Sequence, residues 1–336
     1  MDDLDAKVKR FWEVENDHHK TYSAEEQLCE THFATTHIRN AEGRYMVRLP
    51  VRQEILSLIG DTWATAAQRL TAVKKRLRAD VDLRNSYVQF MEEYRKLGHM
   101  EVQTRVAVPQ FFLPHHAISR PDSSTTKTRI VFDGSCKSSN HFSLNNVLLT
   151  GPTVQLTLLA TVLNFRVHRN VMTADIEKMY RQILVHPEDR LQQILWRQNE
   201  SEVIKPYHLN TATYGTSCAP FLATRTLNQL ANDGDDFPLA APVVKRDFYV
   251  DDLLTGSDNL EILIKTGQQL IELLNKGGSS LRKWSSNHPA LLEHIPERFR
   301  ETLSAVELDQ SPAIKTLRLL WFPEEDLFGF KMPQFS

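Results

Sequence analysis

The spacing of apolar residues changes period several times along the chain, and each change marks an element. From Asp61 to Leu77, Trp63, Ala66, Ala67, Leu70, Val73 and Leu77 recur at helical spacing. Tyr87, Phe90, Met91, Tyr94 and Leu97 predict a second helix that pairs with the first. Alternation follows at Val102, Thr104, Val106 and Val108, continues through Phe111 and Phe112, and returns from Lys127 to Phe132 after the loop Arg120 to Thr126. That pattern predicts a hairpin, with His115 and His116 as ordinary loop residues. Leu156, Leu159, Leu163 and Phe165 predict a buried helix between Val154 and Val167. An earlier alternation at Tyr45, Val47 and Leu49 reads as a strand in an amino-terminal appendage.

Farther along, Val171 to Ile176 is a short apolar strand, and Gln193 to Trp196 with Tyr207 to Thr213 predicts another strand pair. Small polar residues and Pro220 open a helix through Leu222, Leu227 and Leu230. Asn259 caps a helix whose stripe is Leu260, Leu263, Ile264, Gly267, Leu270, Ile271 and Leu274, ending at Gly277 and Gly278. Leu317, Leu319, Trp321 and Phe322 read as a last strand, with a turn at Glu324 to Asp326. Helices interspersed with largely antiparallel strands give an α+β fold.

Two apolar segments carry acids that the pattern alone does not call for. Asp251 and Asp252 interrupt the run from Phe248 to Leu254, and Asp175 ends Val171 to Ile176. Adjacent carboxylates in apolar surroundings raise each other's pKa and are costly to desolvate. Hard oxygen ligands of this kind suit Mg²⁺, held by one or two carboxylates together with substrate phosphates. Taken singly, Asp251 and Asp252 suit a polar turn and Asp175 a helix cap. Taken together they predict three acids on two strands converging on a pair of cations roughly 3.5 to 4 Å apart, the arrangement of two-metal phosphoryl transfer.

Several blocks in order carry a family resemblance: Arg129 to Ser135 (RIVFDGS), Ser143 to Pro152 (SLNNVLLTGP), Ala174 to Gln182 (ADIEKMYRQ) and Tyr249 to Asp252 (YVDD). Flanking them are Arg10 to Glu15, Gly43 to Pro50, Ser280 to Asn287 (SLRKWSSN) and Lys315 to Phe322 (KTLRLLWF). Over nearly its whole length the chain resembles the reverse transcriptase region of BEL/Pao retrotransposon polyproteins; Arg318 departs from it, standing where that family has Gly. The resemblance implies a right-hand polymerase with fingers and palm, an antiparallel palm sheet backed by helices, and a partial thumb. It divides the chain into a linker at 1–60, a helical pair and fingers at 61–170, a palm at 171–278, and a primer-grip hairpin with the start of a truncated thumb at 279–336.

By the same resemblance, Asp175 and Asp251 bridge two Mg²⁺ ions, for which Mn²⁺ can substitute, with Asp252 in support and Ile176 placed in the metal set beside Asp175. Lys127 and Arg129 reach the nucleotide triphosphate, as basic groups stabilising phosphate charge do. Tyr180 stands against the sugar 2′ position, and Tyr214 and Gly215 belong to an element that positions template base and nucleotide. Tyr249, Trp284, Leu320 and Trp321 are assigned to primer and template. The implied partners are an RNA or DNA template with primer and deoxynucleoside triphosphates, with the oligomeric state left open. The second reading is a catalytically silent nucleic-acid-binding or scaffold protein derived from such an element.

Composition limits these readings. A formal charge of -2 over 336 residues leaves nucleic-acid affinity to local patches. Lys74, Lys75, Arg76 and Arg78 form one such cluster, read mainly as a solvated helix face. Three scattered cysteines, Cys29, Cys136 and Cys218, fit neither a disulfide framework nor a zinc site and predict a reducing, cytoplasmic setting. No apolar run approaches the ~18 residues of a membrane span. The chain ends soon after Phe330, and the expectation is a polyprotein fragment without ribonuclease H or integrase.

Overall fold

The computed structural model describes residues 21–103, 111–119, 128–199, 201–301, 314–316 and 319–329. Ser23 starts α1 (Ala24–Thr36) with a reciprocal cap: its hydroxyl accepts from Glu26 N–H, and the Glu26 carboxylate accepts from Ser23 N–H. Two donors that the first turn would leave unsatisfied are thereby paired. A hairpin of β1 (Ile38–Arg39) and β2 (Tyr45–Val47) follows.

The predicted helix pair is α2 (Trp63–Ala79) and α3 (Val81–Lys96), separated by Asp80, whose carboxylate caps α3 by accepting from Leu83 N–H. Leu70 and Leu77 of α2 and Tyr87, Met91 and Tyr94 of α3 are buried, as their spacing predicts. In the basic cluster the exposed members are Lys75, Arg76 and Arg78. Lys74 is instead buried, its ammonium 3.8 Å above the Trp196 ring and bonded to the Gln198 carbonyl. Its charge sits in a cation–π contact and is not offered to a phosphate.

Next come β3 (Met100–Val102) and the hairpin of β4 (His115–Ser119) and β5 (Thr128–Phe132). Contrary to the loop reading, His115 is a buried strand residue. Its ring bonds to the Tyr87 hydroxyl and to the Leu195 carbonyl, and burial pushes its pKa down to about 4, so it sits neutral in the core. A second expectation fails at α4 (Leu158–Arg166). Leu156, Leu159 and Leu163 face outward, and the buried side of the helix is Thr161 and Phe165. The segment is apolar nearly all round, so its periodicity could not choose a face.

The strand carrying the first acid is β6 (Asn170–Ile176). After it, β7 (Leu184–Val185) pairs in parallel with β2, while β8 (Gln193–Trp196) and β9 (Lys205–Leu209) join β3 in the order β3-β9-β8. Then α5 (Ala219–Asn232) and α6 (Ala240–Arg246) lead into β10 (Phe248–Tyr249) and β11 (Asp252–Ser257), and α7 (Leu260–Lys276) into β12 (Leu281–Ser286). The central sheet runs β10-β11-β6-β12, antiparallel throughout.

Period-two alternation gives this sheet two different faces. Met172, Ala174 and Ile176 point into the main core beneath α5 and α7. Leu263, Leu270, Leu273 and Leu274 of α7 are fully buried there, each contributing about 1.5–3 kcal/mol. The Asn259 cap is present, its side-chain oxygen accepting from Ile262 N–H at 3.0 Å. On the opposite face Val171 and Leu254 form a smaller cluster with Phe165 of α4 and Trp321. Trp321 belongs to the outer sheet of β13 (Ile314–Thr316), β14 (Leu319–Phe322) and β15 (Leu327–Gly329). Among the described residues no helix is long and apolar enough to cross a membrane.

Candidate active site

The register of the central sheet brings distant acids together. Asp252 on β11 lies directly across from Asp175 on β6, and Arg282 on β12 lies across from Asp175 on its other side. Directly paired residues of an antiparallel ladder share a face, so both acids stand on the side of the smaller cluster, at the end of the strands. Asp251 occupies the tight turn between β10 and β11, and its carbonyl accepts from Ile176 N–H at 2.9 Å. Two stretches of chain some seventy-five residues apart thus meet at one sheet end.

The electrostatics are unfavourable for purely structural acids. Burial pushes the Asp175 carboxyl up to about 6; the ammonium of Lys283 opposes the rise and the charge of Asp251 adds to it. Asp251 is raised as well, chiefly by burial. A cation from the chain itself enters the site: Lys283 Nζ lies 3.3 Å from Asp175 Oδ2. Lys283 reaches it because β12 shifts register between Arg282 and Ser285, and Lys283 takes a left-handed φ of 53° there. Arg282 turns instead to Glu177, at 2.5 Å.

Because its folded pKa is raised, Asp175 favours the folded state most below its unfolded pKa of about 4, and that contribution is lost as pH climbs through about 6. Asp175→Asn, neutral at every pH, is therefore expected to stabilise the cation-free protein at pH 7.5. The gain is on the order of 1–2 kcal/mol, allowing for the 26 % of the side chain that stays in water and for the lost Lys283 pair. At pH 4 it is expected to vanish. Thermal unfolding of both proteins at the two pH values checks this.

Among the described residues no group of three or more His, Cys, Asp or Glu side chains is gathered closely enough to hold a metal ion. Asp175 feels the charge of Asp251, Asp252 lies directly across from Asp175 on the neighbouring strand, and Lys283 feels both Asp175 and Asp252. The Ile176 side chain is buried and offers no ligand, which leaves only its main-chain carbonyl. Two half-buried carboxylates with raised pKa values fit a hard divalent cation that completes its shell with water and substrate phosphates. They do not fit a closed, all-protein site.

Beside the acids lies the predicted nucleotide group. Arg129 on β5 stacks its guanidinium 4.8 Å over the Tyr214 ring, and its charge is felt by both Asp251 and Tyr180. Tyr180 and Tyr214 meet edge to face at 6.5 Å, and the Tyr214 hydroxyl donates to the Ile130 carbonyl at 2.6 Å. Lys127 lies outside the described residues. Gly215 has φ +97° and passes so close to β5 that a Cβ would run into the Phe132 carbonyl oxygen. Gly215→Ala is expected to cost about 2 kcal/mol or more, since backbone strain and collision act together; urea unfolding measures it.

Asn145 and Gln155, which the sequence reading passed over, hold this region in place. Asn145 donates to the Gly215 carbonyl at 3.1 Å and accepts from Ser217 N–H at 2.8 Å. Gln155 bonds to Val250, the other residue of the β10–β11 turn. Asn145 lies within the block SLNNV, so a polar residue that closes no helix pattern was the available signal.

Of the four residues assigned to primer and template, Trp284 and Trp321 are buried. Trp284 is 1 % exposed. With Met172, Leu263, Gly267, Leu291 and Ile295 it lines a small cavity. Trp321 is also fully buried, edge-on to Phe165 at 5.3 Å with its indole N–H donating to Asp326. Large aromatics have the most apolar area to bury, and here that decided their place. Tyr249 is half-buried on β10, paired with Asp252, and Leu320 lies on β14 across from Lys315 and Gly329.

No protein-family model matches the chain, and no curated protein matches its sequence. Among solved structures it is similar to the foamy viral protease-reverse transcriptase in complex with RNA/DNA hybrid, at 12% identity and TM-score 0.49, over 89% of this chain and 30% of that one. It is also similar to the dRH form of the foamy viral protease-reverse transcriptase with double-stranded DNA, at 15% identity and TM-score 0.46, over 71% of this chain and 34% of that one. The chain therefore spans about a third of the length of the reverse transcriptase chains it matches. At these scores it is the side chains of the sheet end, not the likeness, that bear on function.

Proposed function

We propose that the chain is the polymerase part of an RNA-directed DNA polymerase, from a retrotransposon polyprotein of the BEL/Pao type. One observation supports this above all: Asp175 and Asp251, remote in sequence, are placed together at the end of a buried sheet with both pKa values raised. Perturbed acids gathered at one place are the usual signature of a working site. In this reading the central sheet with α5 and α7 is the palm, the β4–β5 hairpin with α2 and α3 is the fingers, and β13–β15 is the primer-grip hairpin.

The reaction is in-line displacement: the primer 3′ oxygen bonds to the α-phosphorus of a deoxynucleoside triphosphate as its proton passes to water, and the bond from that phosphorus to pyrophosphate breaks on the opposite side. Asp175 and Asp251 would hold Mg²⁺, or Mn²⁺ in its place, which would supply charge stabilisation for the attacking and leaving oxygens. The chain's own residues bind and orient. Arg129, kept over the Tyr214 ring, faces the triphosphate, while Tyr180 closes the pocket on the side of the sugar 2′ position and disfavours a ribose hydroxyl. Gly215 lets the loop run against β5, where Asn145 fixes it for the templating base. Tyr249 and Leu320 remain the proposed primer contacts.

The test is extension of a labelled DNA primer annealed to RNA, using the purified chain with Mg²⁺ or Mn²⁺. Template-directed incorporation of deoxynucleotides is expected. A folded chain that binds primer–template in a salt-dependent manner yet incorporates nothing points to the silent, nucleic-acid-binding reading.

A further inference from the structure

The turn that carries Asp251 is strained. Val250, the first of two residues linking β10 to β11, has a left-handed φ of 56°. A β-branched side chain resists this conformation, which costs roughly 1–3 kcal/mol and persists only where its surroundings over-determine it. A left-handed value at the first loop position alone is the pattern of type II′ hairpins, whose usual occupant there is Gly. Val250 therefore needs an external hold.

Gln155 supplies it. Its Oε1 accepts from Val250 N–H at 2.7 Å, and its Nε2 donates to the Val250 carbonyl at the longer distance of 3.4 Å. One carboxamide thus takes both main-chain polar groups of the strained residue. The orientation of the amide is fixed by chemistry, because only its oxygen can accept from N–H. Gln155 is itself anchored. It lies between buried Pro152 and Thr157, whose hydroxyl caps α4, and α4 is seated on the sheet through Phe165. On the other side the turn is held by the bond from Ile176 N–H to the Asp251 carbonyl.

We propose that Gln155 is the positioning residue of the acid pair: by gripping the main chain of Val250 it keeps the left-handed turn in the state that presents Asp251 beside Asp175. The inference rests on the reading of those two acids as the seat of a divalent cation. Gln155 acts through the backbone, in the way that partners behind metal ligands fix ligand orientation, and loss of such a partner typically weakens metal affinity about 10- to 100-fold.

The test is Mn²⁺ binding to the purified chain, read as loss of the free-ion electron paramagnetic resonance signal, with thermal unfolding and steady-state kinetics beside it. Gln155→Leu, close in volume but without polar atoms, is expected to weaken Mn²⁺ binding about tenfold or more and to lower kcat with little change in the nucleotide KM. Val250→Gly, which removes the penalty on a left-handed φ, is expected to restore most of that affinity in the Gln155→Leu background. A residue that merely packed would lower stability and gain nothing from Val250→Gly. Unchanged Mn²⁺ binding in Gln155→Leu, or a loss that Val250→Gly does not reverse, overturns the inference. Asp251→Asn separates the two readings. If the parent protein shows no Mn²⁺ binding that Asp251→Asn removes, the cation reading itself fails; if it does, an unaffected Gln155→Leu refutes the role of Gln155 alone.

Discussion

Asp251→Asn is expected to lower incorporation in RNA-templated primer extension on the order of 10³-fold, the scale seen when one preorganised charge-stabilising group is removed. The substitution keeps shape and volume and removes only the charge. The Asp251 main-chain carbonyl still accepts from Ile176 N–H, so the turn keeps its tie to β6. Burial raises the Asp251 pKa, and a neutral amide avoids that desolvation. The variant is thus expected to unfold at the same temperature as the parent or higher. Loss of activity with retained stability is what separates a working acid from a structural one. Equal incorporation by the two proteins would remove the proposed site.

Trp284→Ala carries the largest expected effect on stability, about 3–5 kcal/mol, because truncating a fully buried aromatic forfeits its transfer free energy and leaves a cavity. Trp284 belongs to the main core and lines a small cavity with Met172 and Leu263. Its indole N–H is buried and has no hydrogen-bond partner among the described residues, so Trp284→Phe gives up no hydrogen bond there and is expected to cost only about 1 kcal/mol. Urea unfolding of the two variants measures both values. If Trp284 instead held primer or template, Trp284→Ala would weaken primer–template binding while the unfolding midpoint stayed in place.

The contrast between Trp284 and its neighbour Lys283 shows what the linear pattern could not supply. Both lie in SLRKW, and nothing in the spacing says which one enters the core. The register shift in β12 decides it, sending the tryptophan inward and the lysine toward Asp175. His115 is a similar case. A proline before it and a polar ring suggested a loop, yet strand pairing with β5 and bonds to Tyr87 and Leu195 made it a neutral core residue. In α4 an all-round apolar sequence left the buried face undetermined until Phe165 met Trp321.

The amino-acid sequence by itself determined the helices with one apolar stripe, α2, α3 and α7 with its Asn259 cap, because spacing and capping act within a few residues. It also determined that Asp175, Asp251 and Asp252 were out of keeping with their apolar surroundings, since the cost of an acid in such a segment is a local property. Only the tertiary structure decided that the segments carrying Asp175 and Asp251 meet at one sheet end, that Lys283 stands beside Asp175, and that Gln155 grips the turn. Those relations depend on strand register and on one left-handed residue, and register is fixed by packing between segments far apart in the chain.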